Sequence, residues 1–146
     1  MNPFLLLIQN RIIQSTFISF LIACTLKVVL NYYKSKKVRL KLFFKSGHMP
    51  SSHTATVIAL TFGLYHETGI SNIFIVALVF SIIVVYDAVG VRRAAGKQAA
   101  IINKIFEEFQ MFKKIKPERL YEFIGHTPKE VIAGAIIGFV VSYLVF

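Results

Sequence analysis

Thirteen consecutive residues, Ile73 to Val85, carry a single polar side chain, Ser81. A helix built from them has no polar stripe to turn toward water, so it must be buried on every side or set in lipid. A chain of 146 residues has little protein with which to surround such a helix. Lipid is the economical answer, and the rest of the composition agrees. Hydrophobic residues make up 55% of the chain, mean hydropathy is +0.64, and charged residues reach only 16%, against about 25% in soluble domains. A soluble helical protein with a basic nucleic-acid face would share the excess of cations but not this apolar run, and no nucleic-acid partner is expected.

Four stretches are candidates to cross about 30 Å of hydrocarbon. They run from Ile12 to Tyr33 (interrupted by Lys27), from Ser52 to Tyr65 (short), from Ile73 to Val91, and from Glu130 to Phe146. Residues 3–8 are apolar but too few to cross alone. The expectation is one domain over 1–146, an all-α integral membrane bundle of about four transmembrane helices. The N-terminus lacks a basic region ahead of its apolar residues, so no cleaved signal peptide is expected. Cys24 is the single cysteine, which excludes an intrachain disulfide.

Of the 17 Lys and Arg residues, 15 lie in two segments, Lys34 to Lys45 and Arg92 to Lys129. Four spans put both segments on one side of the membrane, and the positive-inside rule makes that side cytoplasmic. Setting aside Lys34, Arg92 and Arg93 as candidate ligand-binding cations still leaves 12 on that side. Between Ala99 and Lys116, Ile101, Ile102, Ile105, Phe109 and Phe112 form an apolar stripe, with Lys104, Glu107, Glu108, Lys113 and Lys114 mostly off it. That pattern predicts an amphipathic helix lying in the cytoplasmic interface, ended by Pro117, with a further turn or two over Glu118 to Ile124. Small residues recur every fourth position at Ala55, Ala59 and Gly63, and again at Gly134 and Gly138. Such spacing lets helix backbones approach closely in lipid.

Polar chemistry is confined to the edges of the apolar runs. Met49-Pro50-Ser51-Ser52-His53 opens the second span, Asp87 to Arg93 closes the third, and Gly125-His126-Thr127-Pro128-Lys129-Glu130 precedes the fourth. The topology brings all three to the same membrane face. A helix N-terminus offers free N–H groups to an anion, arginine offers a planar fork for phosphate oxygens, and histidines can act as nucleophile and as acid. Each residue also has a plainer role open to it. Ser51 or Ser52 suits an N-cap, Thr127 to Glu130 a capping box with proline at the first helical position, and Arg92 and Arg93 an interfacial anchor. Asp87 could pair with one of those arginines. His48 and His66 are expected in loops. No spacing of His, Cys, Asp or Glu points to a metal, and no cofactor is expected.

Together, Pro50-Ser51-Ser52-His53, the Asp87-to-Ala99 string and Gly125-His126-Thr127-Pro128-Lys129-Glu130-Val131 resemble the type 2 phosphatidic acid phosphatase superfamily, which shares its site with vanadium-dependent haloperoxidases, and in particular its divergent branch. The resemblance covers essentially the whole chain. It implies a hydrolase that cleaves a lipid-linked phosphomonoester or pyrophosphate through a phosphohistidine. His126 would be the nucleophile, Glu130 its orienting acid where the family usually has Asp, and His53 the acid that protonates the leaving alcohol. Lys27, Lys34, Ser51, Ser52 and Arg92 or Arg93 would hold phosphate oxygens, with Asp87 and Thr127 in support. The family's first motif ends in Arg-Pro, whereas Lys34-Ser35 stand here, and a lysine forms no bidentate fork. The family's arginine lies about six residues before the histidine; here more than thirty intervene, and docking of the amphipathic helix on the membrane is expected to assemble the site. Three functions follow for test: a phosphatase, a lipid-phosphate binder, transporter or scaffold without turnover, and a haloperoxidase. Four spans shield such a site incompletely, which a second copy of the chain could remedy as a homodimer.

Overall fold

A computed structural model describes residues 2–43, 47–110, 120 and 125–146. The described residues form helices, with no strand among them. A short helix α1 (Pro3–Gln9) leads into α2 (Arg11–Ser35), which is followed by a single 3-10 turn over Leu40–Phe43. Then come α3 (Ser52–Thr68), α4 (Asn72–Val89), α5 (Val91–Gln110) and α6 (Pro128–Val145). Polar caps mark the starts. Asn10, Ser51 and Ser71 each accept a hydrogen bond from the backbone N–H three residues on, satisfying donors that the first helical turn leaves free. α2, the stretch from α4 into α5, and α6 are long and apolar enough to cross a membrane. The 17-residue α3 is shorter, about 25 Å at 1.5 Å per residue, but it holds the centre of the bundle and packs on α2, α4 and α6.

Small residues explain how one helix can touch three others. A Cβ on Gly134 would strike the Ser51 carbonyl oxygen, and one on Gly138 would strike that of Ala55. The α3–α6 seam is therefore backbone against backbone, as the four-residue spacing predicted. Against α4, α3 uses hydroxyls: Thr61 Oγ1 and Ser81 Oγ lie 2.7 Å apart, and Ser81 also donates to the Val57 carbonyl at 3.0 Å. In lipid these groups have no water to turn to, so they bond across the interface. The lipid-facing sides of α2, α4 and α6 carry exposed Leu, Ile, Val and Phe, as expected for helices whose solvent is hydrocarbon.

One expectation changes. The amphipathic helix begins at Val91 rather than Ala99, so Arg92 and Arg93 stand in its first turn instead of closing the third span. Gly90 makes the corner: its backbone leaves helical geometry (φ −97°, ψ −92°), and a Cβ there would lie 2.8 Å from the Tyr86 carbonyl oxygen. Beyond the corner α5, among the described residues, packs on α4 and on no other helix. Gly96, Ala99 and Asn103 form its buried side, while Ile101, Ile102, Ile105 and Phe106 are exposed. Phe112, Lys113, Lys114 and Lys116 lie outside the described residues, as do Pro117 and all but Leu120 of the expected turn over Glu118 to Ile124.

Candidate active site at one end of the bundle

Alternating helix directions bring the C-terminal third of α2, the N-terminus of α3, the end of α4 and the N-terminus of α6 to one end of the bundle. Backbone hydrogen bonds tie these ends together. Ser51 N–H donates to the Glu130 carbonyl at 3.0 Å, joining the start of α3 to α6. His126 N–H donates to the Ala88 carbonyl at 3.0 Å, joining the approach to α6 to the last turn of α4. Beside it, Gly125 lies so close to the Arg92 and Arg93 backbone that a Cβ would clash with the Arg93 Cα and N. Glycine is required there by the close approach alone. This contact sets His126 next to Arg92 although more than thirty residues separate them in sequence.

His126 is 2% exposed. Its Nδ1 lies 3.2 Å from Glu130 Oε2, and the same oxygen accepts the Thr127 N–H at 2.9 Å. Glu130 therefore caps α6, with Pro128 at the first helical position, and also holds the imidazole; the two expected roles coexist. A carboxylate can only accept, so with Glu130 ionised the proton stays on Nδ1 as the hydrogen-bond donor, which leaves Nε2 as the ring's lone-pair nitrogen. Nε2 is buried and has no hydrogen-bond partner among the described residues. Burial pushes the imidazole below the ordinary histidine range; the Glu130 hydrogen bond and charge pull it back up, and Lys27 and Arg92 add to the lowering. The result is a neutral ring near neutral pH, oriented at one nitrogen and open at the other.

Around this ring stand most of the residues expected from sequence. The charges bearing on His53 come from Arg92, His126, Lys27 and Asp87, so the two histidines share one electrostatic neighbourhood. His53 itself is exposed at the first turn of α3. Lys27 is 1% exposed, and the charge of Glu130 acts on it. Lys27 and Lys34 line one cavity of about 200 Å³ with Leu30, Asn31, His48, Met49 and Glu130. Arg92 Nε is ion-paired with Asp87 Oδ2, both side chains partly exposed.

Other expected residues play different parts. Arg93 and Arg92 both offer their backbone to Gly125, and it is the charge of Arg92 that bears on both histidines. Ser51 is the N-cap of α3: its Oγ accepts from Thr54 N–H at 3.3 Å and from the Thr54 hydroxyl at 3.0 Å. Ser52 is buried in the first turn, where its carbonyl accepts the Thr56 hydroxyl at 2.8 Å. Thr127 is exposed and contributes its backbone N–H to Glu130. Among the described residues no group of three His, Cys, Asp or Glu side chains is placed to hold a metal ion.

The cavity wall also takes in Asn31 and His48, which sequence reading does not single out as site residues, although His48 lies in a loop as expected. The signal for Asn31 was available, since it lies four residues after Lys27 and three before Lys34 and so shares their helix face. His48 follows Gly47 in a loop where both residues take positive φ, 80° and 77°. No periodicity predicts where such a residue lands.

The family model described as "Divergent PAP2 family" matches residues 8–141. The chain is 36% identical over 148 aligned residues to the "Uncharacterized membrane protein YuiD" of Bacillus subtilis (strain 168), an alignment covering 93% of this chain and 94% of the relative. No solved structure matches the chain. With its apolar spans, the chain is an integral membrane protein.

Proposed function

Because the chain belongs to the Divergent PAP2 family, we propose that it is a membrane-embedded phosphatase that hydrolyses a lipid-linked phosphomonoester or pyrophosphate through a phosphohistidine on His126. The observation that carries this reading is the state of His126: Nδ1 held by Glu130, and Nε2 buried without a partner. Nε2 attacks phosphorus, and the leaving alkoxide takes its proton from His53 in its imidazolium form. Water then displaces the phosphate from His126, and His53 takes up the water's proton. Glu130 supports the positive charge that grows on His126 during attack. Arg92, Lys27 and Lys34 stabilise the negative charge spread over the transferring oxygens. This chemistry calls for no metal. A membrane-bound substrate is supported by the site's opening at the end of apolar helices, and the distribution of Lys and Arg supports a cytoplasmic position for that end.

Purified full-length protein in detergent should release inorganic phosphate from at least one lipid phosphate, and orthovanadate should inhibit it. Undiminished release by His126→Ala would refute the phosphohistidine. A second reading keeps the pocket without turnover, as a lipid-phosphate-binding, transport or scaffold protein. The engagement of Arg92 by Asp87 favours it, because the cation best placed for phosphate already has an anionic partner. Thermal stabilisation by lipid phosphates with no phosphate release across a broad panel would select this reading.

A further inference from the structure

We infer that Asn103, halfway along α5, is a positioning residue for His126; the inference rests on the proposal that His126 is the nucleophile. An asparagine on an amphipathic helix is ordinarily a solvated surface residue. Asn103 is 5% exposed. Its carboxamide reads both backbone groups of one residue across the insertion: Nδ2 donates to the Leu120 carbonyl at 2.8 Å, and Oδ1 accepts the Leu120 N–H at 2.9 Å. The amide presents a donor and an acceptor in one plane, which is what such a paired contact requires. Aspartate has the same size but can only accept, and alanine can do neither.

The location of this clamp gives it its consequence. Gly125 packs on the backbone of Arg93, ten residues before Asn103 on the same helix, which is about 15 Å at the helical rise. Five residue steps separate Leu120 from Gly125, and they reach at most about 17 Å. With Gly125 held on Arg93, that reach lets Leu120 sit no farther along α5 than about the Asn103 turn. Fixing Leu120 on Asn103 limits where Gly125 can sit, and through the His126–Ala88 hydrogen bond it limits where the imidazole can sit. Gly96 and Ala99 keep the same side of α5 free of bulk. In this way a long insertion returns the histidine to the arginine. α5 acts as the template for that return, and Asn103 is the point where the register is set.

The test uses the full-length protein in detergent, with Asn103→Ala, Asn103→Asp and, as a structural control, Thr61→Ala, which removes a buried hydroxyl contact between α3 and α4 away from the site. Three quantities are measured: kcat and KM for phosphate release, the melting temperature, and the rate at which diethyl pyrocarbonate modifies His126, followed by peptide mass spectrometry. Displacement of a reacting group by about 1 Å costs up to about 100-fold, so Asn103→Ala should lower kcat by about tenfold or more with little change in KM, and should speed His126 modification. Asn103→Asp, keeping one of the two bonds, should fall between. Thr61→Ala should lower the melting temperature while leaving kcat and His126 reactivity unchanged. The inference is overturned if Asn103→Ala keeps wild-type His126 reactivity, or if its losses merely follow melting temperature as those of Thr61→Ala do. Absence of phosphate release by the wild type would refute the phosphatase reading instead; the modification rates would then decide the role of Asn103 on their own.

Discussion

At the scale of single residues, the site is a histidine tuned by its neighbours. In the proposed mechanism Glu130 fixes the tautomer, so Glu130→Gln should keep the α6 cap through its side-chain oxygen and yet lower phosphate release by about 10²-fold or more, within the usual range for losing a positioned acid–base partner. A kcat equal to wild type in that variant would remove Glu130 from the chemistry. The lowered pKa of His126 also makes a statement about stability. Between its value in the fold and the ordinary value of about 6.5, the native protein binds fewer protons than the unfolded chain. This contribution is fully present above about pH 6.5 and declines as pH falls through that window. Melting temperature should thus drop more steeply between pH 7 and pH 5 for wild type than for His126→Gln; parallel profiles would contradict the buried neutral ring.

At the scale of elements, the arrangement depends on backbone contact between α3 and α6. Gly138→Leu sets a side chain against the Ala55 carbonyl, and overpacking a close seam costs about 1–3 kcal/mol. A lower melting temperature in detergent is expected. Gly134→Ala is more pointed, because its Cβ meets the Ser51 carbonyl, at the N-cap of the helix that carries His53. It should depress phosphate release more than Gly138→Ala does, at comparable loss of stability, and the kcat and melting temperature of the two variants measured side by side check this. The α4–α5 corner was the element least well anticipated. Apolar periodicity runs on through Arg92 and Arg93 at helical spacing, so nothing in it marks the break that the Gly90 backbone makes. The α6 start was read correctly, because Thr127-Pro128-Lys129-Glu130 encodes its cap within four adjacent residues.

For the whole molecule, the charge distribution predicts sidedness. In a Cys24→Ser background, Lys37→Cys in the basic loop should resist a membrane-impermeant maleimide in intact cells, while Ser71→Cys at the opposite end should react. The reverse pattern would put the site outside and invert the topology. Exposed apolar residues on α5, with Lys97 and Lys104 beside them, would lie in the leaflet on the basic side under the predicted orientation. Such a placement would let the membrane itself hold the template on which the His126 segment docks.

The helical membrane bundle, the residue types gathered at one of its ends and the three helices long and apolar enough to cross were legible in the sequence alone, while the expected second span is the shorter α3. Lipid demands long apolar helices, and helices that alternate in direction place every second loop on the same side. Close helix contact was readable too, from small residues at fixed spacing. Only the tertiary structure brought the charge of Arg92 to bear on both histidines, added Asn31 and His48 to the cavity wall, and let Glu130 both cap α6 and hold the imidazole. It also carried the chain over the insertion, from Asn103 to Leu120 and from Arg93 to Gly125. Those contacts join residues far apart in sequence by hydrogen bonds and backbone packing. Neither local periodicity nor composition specifies which distant groups will meet.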